Sequence, residues 1–185
     1  MLALCGVFTL VCVWCAREPD FDLLLVREVP SPLSLTQLGA KLDQVSKWPE
    51  WHHMMKETRV VPLKEGSGEF LVLTFVPKGL EWKKFVLTVQ VNERRPGRLV
   101  RYSLLNDTKG KLPKLFTSVV WELEVLEGKD FPSMVRAKVI AHTQHWRSRL
   151  IGRLLPEVLL NQVLYPDLDR LAGTPAAFRV PIMPE

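Results

Sequence analysis

Two adjacent histidines, His52 and His53, are the residues whose type and spacing come nearest to metal chemistry in this sequence. Imidazole nitrogens bind zinc, copper, nickel and iron, so a histidine pair on a turn could supply two ligands to such an ion. The carboxylate–histidine spacing of known metal motifs is missing around the pair. The sequence therefore predicts no metal site, and we interpret these histidines as polar residues on a turn.

A second pair, His142 and His145, lies in a segment with the alternation of a β-strand. Successive side chains of a strand point to opposite faces of the sheet, so residues at this odd spacing do not easily share a ligand. His145 is the member expected to point inward. There it provides either one polar contact in a pocket or a partly solvated side chain at the end of the strand.

All three cysteines, Cys5, Cys12 and Cys15, lie within the first 15 residues, so the rest of the chain has no thiol nucleophile. Cys12 and Cys15 form a CxxC pair, but the strand-to-helix context of a redox site is missing. The sequence contains no nucleophile elbow, Rossmann glycine pattern, P-loop or metalloprotease helix. We expect no cofactor. No residue stands out as catalytic, although acid–base catalysis needs only one well-placed Tyr, His or Glu.

An amphipathic helix is one of the elements expected to position these side chains, and a strand from Asp20 to Val29 precedes it. Ser34 and Gln37 have the spacing of a capping box, in which each side chain satisfies the other residue's backbone N–H. Four apolar residues then recur at the helical period and share one face. These are Leu35, Leu38, Leu42 and Val45.

Two tryptophans flank a proline where this helix is expected to end, in the sequence Trp48-Pro49-Glu50-Trp51. A residue before proline is disfavoured in the helical region, so Trp48-Pro49 is predicted to stop the helix. A second short helical turn is expected from Trp51 to Met55. Each indole is able to bury a large apolar area, and we expect the two to anchor this corner to whatever lies beneath.

From Thr58 onward the hydrophobic period changes to two, which is typical of half-buried strands. Short turn sequences separate most of these segments and predict antiparallel hairpins. The expected strands are Thr58–Leu63, Glu69–Val76, Leu80–Asn92, Arg98–Leu105, Phe116–Glu127 and Met134–Trp146. A long helix is predicted from Ser148 to Leu171, with Gly173 as its C-cap.

The corner Trp48-Pro49-Glu50-Trp51, with a strand and a helix before it and strands and a long helix after it, resembles the START / polyketide cyclase-dehydrase-like superfamily, also called SRPBCC. The resemblance covers roughly Phe21 to Gly173. It implies an α+β helix-grip fold, in which an antiparallel β-sheet is wrapped around a long C-terminal α-helix and two short helices follow the first strand. It also implies a hydrophobic cavity between the sheet and the last helix.

We expect this cavity to be mostly apolar and on the order of 300–1,000 Å³. Small residues on the apolar face of the last strand, such as Ala137 and Ala141, leave room for either a close-packed helix or a cavity. The residues predicted to line the cavity are Phe85, Leu87, Tyr102, Trp121, Val139, Thr143, Leu154, Val158 and Tyr165.

The two ends of the chain differ in composition from the segment between them. Residues 1–16 form an apolar leader, shorter than the ~20 residues of a membrane-spanning helix, which we interpret as a signal peptide or membrane anchor. An exported protein (periplasmic, cell-envelope or secreted) is therefore favoured, with the cytoplasm as the alternative. Residues 17–173 form the START/SRPBCC-like domain, and residues 174–185 form a Pro-rich C-terminal tail.

The formal net charge of +5 is modest and compatible with attraction to an anionic membrane surface. Two groups of basic residues are candidates for that contact, with a solvated face as the alternative: Lys109, Lys111 and Lys114, and Arg147, Arg149 and Arg153. No zinc-finger spacing, RNP-type sequence or basic stripe with interleaved aromatics is present. Nucleic acid is therefore not expected as a partner.

The leading functional hypothesis is non-catalytic binding of a small hydrophobic or lipid-like ligand in the internal cavity, with transport as its extension. One alternative is an enzyme of the cyclase, dehydratase or hydrolase type on the same fold. Another is a non-catalytic cell-envelope interaction protein with a filled core. Polar groups converging in a cavity favour the enzyme, a large dry cavity favours the carrier, and a packed core favours the interaction protein.

Overall fold

The computed structural model describes residues 21–62, 68–76, 84–108, 116–145, 148–149 and 165–173. Its elements are β1 (Phe21–Ser31), α1 (Leu35–Asp43), a 3-10 turn (Val45–Lys47), α2 (Trp48–Trp51), β2 (Met55–Pro62), β3 (Glu69–Phe75), β4 (Phe85–Arg95), β5 (Leu99–Asp107), β6 (Ser118–Leu126), β7 (Ser133–Thr143) and α3 (Tyr165–Ala172). The leader, the Pro-rich tail and most of the predicted C-terminal helix lie outside the described residues. Within these ranges no helix has the length and apolar character needed to span a membrane.

The seven described strands form one antiparallel sheet in the order β1-β7-β6-β5-β4-β3-β2. Consecutive strands from β2 to β7 are neighbours, which confirms the hairpins predicted from the turn sequences. β1 instead pairs with β7 over its whole length, from Phe21 opposite Thr143 to Ser31 opposite Ser133. The first strand therefore lies beside the last one, and β1 and β2 form the edges of the sheet.

The inner face of the sheet is apolar. On β7 the side chains of Val135, Ala137, Val139 and Ala141 are buried, and the residues between them are partly exposed. This burial confirms the alternation predicted for the strand. It follows from the pleat, which sends successive side chains to opposite faces.

The outer face of the sheet carries ion pairs. Arg101 lies 2.9 Å from Glu93 and 2.6 Å from Glu122, which are its partners on the two neighbouring strands. Opposite charges on facing strands stabilise the pairing and keep this side of the sheet in water. A cavity for an apolar ligand therefore belongs on the other face, beneath the helices.

The helix α1 begins as predicted and ends earlier than predicted. Ser34 Oγ accepts a hydrogen bond of 3.3 Å from the backbone N–H of Gln37, whose side-chain oxygen accepts one of 3.0 Å from the N–H of Ser34. This confirms the capping box. The helix ends at Asp43, and a 3-10 turn follows it before the chain reaches Trp48.

The prediction that Pro49 excludes Trp48 from the helical region is wrong. Trp48 has φ −54° and ψ −35°, and it opens α2. Pro49 occupies the first turn of that helix, where a backbone N–H has no intrahelical partner, so its missing donor costs little. The second helical turn therefore lies at Trp48–Trp51 instead of Trp51–Met55.

The helices cover the inner face of the sheet. α1 packs against β6 and β7, and α3 packs against β1, β7, α1 and α2. Trp48 is fully buried between them, and its Nε1–H donates a 2.9 Å hydrogen bond to the carbonyl of Leu42. The buried indole fixes α2 to the end of α1. Gly173, which follows α3, has a positive φ of 68°, the conformation expected of the predicted C-cap.

Candidate functional site

A cavity of about 190 Å³ lies between the inner face of the sheet and the helices. Strands β3 to β7 contribute most of its lining, and α2 and α3 contribute Trp51 and Leu168. Most of the lining side chains are aliphatic or aromatic. The polar side chains on its wall include those of His52, Tyr102 and Asp167.

Aromatic rings form much of the cavity wall. Tyr102 and Trp121 are stacked, with ring centroids 5.5 Å apart and planes at 20°. Phe75 and Phe85 form a second stacked pair at 5.0 Å and 10°. The indole of Trp51 also lines the cavity. Stacked aromatic pairs of this kind provide a rigid, apolar wall for the cavity.

The structure brings together five of the nine side chains that the sequence predicts as cavity lining. These five are Phe85, Leu87, Tyr102, Trp121 and Val139. Leu154 and Val158 lie outside the described residues, and Tyr165 begins α3 but its side chain is not described. Contact of these residues with a ligand stays a prediction.

Thr143 does not lie on the described lining of the cavity. It is fully buried at the end of β7, opposite Phe21 on β1. Its Oγ1 accepts a 3.0 Å hydrogen bond from the backbone N–H of His145. The hydroxyl therefore secures the chain where it leaves the sheet.

The cavity is smaller than the range expected from the sequence. Three large rings, those of Trp51, Tyr102 and Trp121, occupy part of the space between the sheet and the helices. The remaining volume of about 190 Å³ is somewhat larger than the ~150 Å³ cavity that is known to admit benzene.

His52, His53 and Asp167 form a polar cluster at one side of the cavity. Asp167 lies in the first turn of α3, and its side chain is only 6% exposed. Its Oδ1 accepts a 2.7 Å hydrogen bond from the backbone N–H of His53 and lies 2.7 Å from His53 Nδ1. Its Oδ2 lies 3.1 Å from His52 Nδ1. That second contact is close, but its orientation does not make a hydrogen bond, and both atoms are buried.

Burial controls the protonation of the polar groups on the cavity wall. The pKa of His52 is lowered to about 4, first because burial penalises the charged imidazole; the charge of Asp167 opposes this, and His53 and Arg170 lower the pKa further. The pKa of Tyr102 is raised above its usual range by burial and, second, by the negative charge of Asp167. At neutral pH the cavity wall thus carries the neutral imidazole of His52 and the neutral phenol of Tyr102.

Comparison with known proteins finds no matching family model and no matching curated protein. Solved structures do match. The aromatase/cyclase Zhui from Streptomyces sp. R1128 is 12% identical, with a TM-score of 0.62 over 86% of this chain and 100% of that one. A START superfamily protein from Mycobacterium smegmatis is 12% identical, with a TM-score of 0.51 over 73% of this chain and 90% of that one.

A third match is StfQ, the di-domain ARO/CYC of the steffimycin biosynthetic pathway, at 12% identity and a TM-score of 0.62. The alignment covers 82% of this chain and 50% of StfQ, so this chain spans half the length of that protein. The described sheet and helices match the helix-grip fold. The resemblance predicted from the tryptophan corner and its neighbouring elements is confirmed. At 12% sequence identity this similarity concerns the fold alone.

In this helix-grip protein the polar cluster joins residues that are far apart in sequence. His53 and Asp167 are separated by 114 positions, so no local spacing relates them. One signal was available: Asp167 lies four positions before Leu171 and beside Leu168, both of which are buried. An acidic residue on the apolar face of a helix marks a buried carboxylate that needs a partner.

The other two histidines lie away from the helix-grip cavity. His142 Nδ1 is 2.6 Å from Asp22 Oδ1, across the β1–β7 pair, where both side chains are exposed or partly exposed. His145 follows β7 and is half-buried, with a buried Nδ1. Neither belongs to the described lining of the cavity.

Proposed function

We propose that this protein binds a small hydrophobic ligand, about the size of one substituted aromatic ring, in the cavity between the sheet and the helices. The observation that carries this proposal is an apolar cavity of about 190 Å³ with stacked rings on its wall. Since a ~150 Å³ apolar cavity stays dry and admits benzene, this volume suits a compact ring compound. Transport of such a compound is an extension of the same function.

The shape of the wall favours a flat ligand over a long acyl chain. A ring that enters the cavity can extend the stack of Tyr102 and Trp121 or meet the edge of Phe85, and both arrangements are favourable. An acyl chain gains no stacking and needs a longer space. An interaction protein with a filled core is the least favoured alternative, because it would leave no cavity.

Calorimetric titration of the purified protein with ring compounds and with fatty acids tests this proposal. Indole and naphthol represent the rings, and dodecanoic and palmitic acid represent the acyl chains. We expect saturable binding of at least one ring compound at one site per chain, tighter than that of either fatty acid. A correctly folded protein that binds none of the ring compounds saturably would contradict the proposal.

Two neighbouring residues of β7 provide a matched pair of variants. Val139 lines the cavity, whereas Ile140 lies on the other face of the same strand. Val139→Phe adds a ring inside the cavity and should weaken ring binding at least about tenfold, which corresponds to about 1.4 kcal/mol. Ile140→Phe places the same ring on the outer face and should leave the affinity nearly unchanged. Equal affinities in the two variants would exclude this cavity as the binding site.

A second candidate function is an enzyme of the cyclase, dehydratase or hydrolase type, and the pair His52 and Asp167 favours it. The lowered pKa of His52 keeps its imidazole neutral at neutral pH, and a hydrogen bond to Asp167 would raise that pKa toward the operating pH, where a general base is most effective. A small rotation would bring Asp167 Oδ2, now 3.1 Å from His52 Nδ1, into a hydrogen bond that orients the ring and stabilises the imidazolium. Tyr102 adds a neutral phenol on the same wall.

Proton exchange distinguishes the enzyme from the binding protein. The protein is incubated in D₂O with a cyclic aryl ketone, and loss of the proton signals α to the carbonyl is followed by NMR. For an enzyme we expect exchange above the buffer rate, lost in His52→Gln while ketone binding is retained. For a binding protein, exchange stays at the buffer rate although the ketone is bound.

A further inference from the structure

The polar cluster has the composition of a transition-metal site. His52 and His53 each offer an imidazole nitrogen and Asp167 offers a carboxylate oxygen, and these ligand atoms lie within 4.8 Å of one another. Two imidazoles and one carboxylate suit zinc and its neighbours among the divalent transition metals. Calcium and magnesium prefer all-oxygen sites, so they fit this set poorly.

Two atoms of the cluster are suited to bind a cation. Asp167 Oδ2 and His52 Nδ1 are both buried, and neither makes a hydrogen bond to another described residue. They face each other at 3.1 Å, which leaves no space for a bridging water. A buried carboxylate is costly unless it is paired with a positive charge or a metal ion. An ion bound between these atoms would satisfy both of them.

We propose that His52, His53 and Asp167 bind a divalent transition-metal ion of the zinc type. Ligand atoms around a tetrahedral zinc ion are about 3.3 Å from one another, given bonds of about 2.0–2.1 Å. The present separations of 2.7 Å and 3.1 Å are slightly shorter, so the ligands must open by roughly half an ångström. The metal replaces the hydrogen bond between His53 Nδ1 and Asp167 Oδ1.

The polypeptide around the cluster allows this adjustment. His52 and His53 lie in the short connection between α2 and β2, and the side chain of His53 is 26% exposed. The backbone N–H of His53 holds Asp167 Oδ1 in place, as outer hydrogen bonds do for metal-binding carboxylates. Asp167 Oδ2 stays available to the ion. Rotation of the His53 ring breaks its contact with Asp167 Oδ1, and a small shift of the His52 ring widens the 3.1 Å separation from Asp167 Oδ2.

The site adjoins the cavity, which gives the ion a chemical role. His52 and Asp167 are on the cavity wall, so the fourth coordination position of a three-ligand site would face the enclosed space. Water or an oxygen atom of a cavity ligand could occupy it, and a bound zinc ion would polarise a carbonyl there. The metal site itself does not require that the cavity bind a ligand, so the two proposals fail independently.

Metal titration of the full chain tests the proposal. Cys5, Cys12 and Cys15 are replaced by Ser, because the thiols of the leader bind zinc themselves. After treatment with a chelator, Zn²⁺ is added in the calorimeter and Co²⁺ is followed by visible absorption. We expect one ion per chain, and the absorption of nitrogen- and oxygen-ligated, four- or five-coordinate cobalt.

Three variants assign the ligands. Asp167→Asn keeps the shape of the side chain and the acceptor for the His53 N–H, and His53→Ala changes a partly exposed side chain. Each should weaken Zn²⁺ binding at least tenfold while circular dichroism stays unchanged. His142→Ala is the control. It removes the contact of His142 with Asp22 in the sheet and should leave Zn²⁺ binding unchanged. Absence of stoichiometric binding, or equal affinities in all variants, would overturn the proposal.

Discussion

The backbone N–H of Gly97 donates a 2.7 Å hydrogen bond to Oδ2 of Asp43 and so joins the turn between β4 and β5 to the end of α1. Gly97 has a φ of 67°, a conformation that only glycine adopts freely. One turn earlier on α1, a Cβ at Gly39 would lie 2.5 Å from the carbonyl oxygen of Gly97. The helix therefore rests directly on the backbone of the hairpin, and this contact holds the tryptophan corner over the sheet.

The first prediction concerns this close approach. Gly39→Ala should destabilise the protein by about 1–3 kcal/mol, because the new methyl group meets backbone atoms and forces α1 away from the hairpin. The sign of the change in the free energy of unfolding is informative, since Gly→Ala inside a helix otherwise stabilises a protein by up to about 1 kcal/mol. Urea unfolding measures the change. Thr36→Ala, at an exposed position of the same helix, should stay within about 0.5 kcal/mol of the parent protein. A Gly39→Ala protein as stable as the parent would show that α1 does not rest on this turn.

The second prediction separates the two tryptophans of the corner. Both are buried, and truncation of either to Ala should cost about 3–5 kcal/mol. Replacement by Phe should distinguish them. Trp48→Phe leaves the buried carbonyl of Leu42 without its donor and should cost about 1–3 kcal/mol beyond the lost volume.

Trp51→Phe is the matched comparison. The Nε1 of Trp51 is buried and makes no hydrogen bond within the described part of the chain, so its loss removes no such bond. We expect Trp51→Phe to be clearly less destabilising than Trp48→Phe in denaturant unfolding. Equal costs for the two variants would mean that the contact between Trp48 and Leu42 contributes nothing to stability.

The sheet was predictable because its signal is local. From Val135 to Thr143, buried and partly exposed side chains alternate because the pleat sends consecutive residues to opposite faces and only one face is buried. This pattern can be read from consecutive residues of the sequence. The capping box of Ser34 and Gln37 is equally local. The helical conformation of Trp48 was not predicted, because the general preference of a residue before proline does not hold at this position, where the indole is fully buried.

The polar cluster was not predictable for a different reason. The contact between His53 and Asp167 depends on how α3 packs against α2 and the sheet, and no spacing along the chain predicts that packing.

The aromatic wall of the cavity was predictable only in part. Its members, such as Tyr102 and Trp121, follow from strand alternation, whereas the volume left between them depends on how the rings stack.

The last prediction follows from the buried imidazole of His52. Its pKa is lowered from 6.5 to about 4 in the folded protein. Above pH 6.5 the residue is neutral in both the folded and the unfolded state, so it contributes no pH dependence. As the pH falls from 6.5 toward 4, His52 binds a proton in the unfolded chain but not in the folded protein. The free energy of unfolding therefore decreases. The loss amounts to at most about 3 kcal/mol.

The measurement is urea unfolding of chelator-treated protein at several pH values between 7.5 and 4, with His52→Gln as the comparison; the range brackets the window set by the lowered pKa. Carboxyl groups elsewhere also affect stability in acid, so the informative quantity is the difference between the two proteins at each pH. His52→Gln should gain stability relative to the parent as the pH falls through 6.5, and the gain should increase down to about pH 4, where His52 begins to take up its proton in the folded protein as well. Parallel curves for the two proteins would mean that the imidazole is solvated enough to accept its proton in the folded state. With its ordinary pKa of 6.5 the imidazole would still be mostly neutral at pH 7.5, so this outcome would contradict the burial of His52 and neither of the two proposed functions.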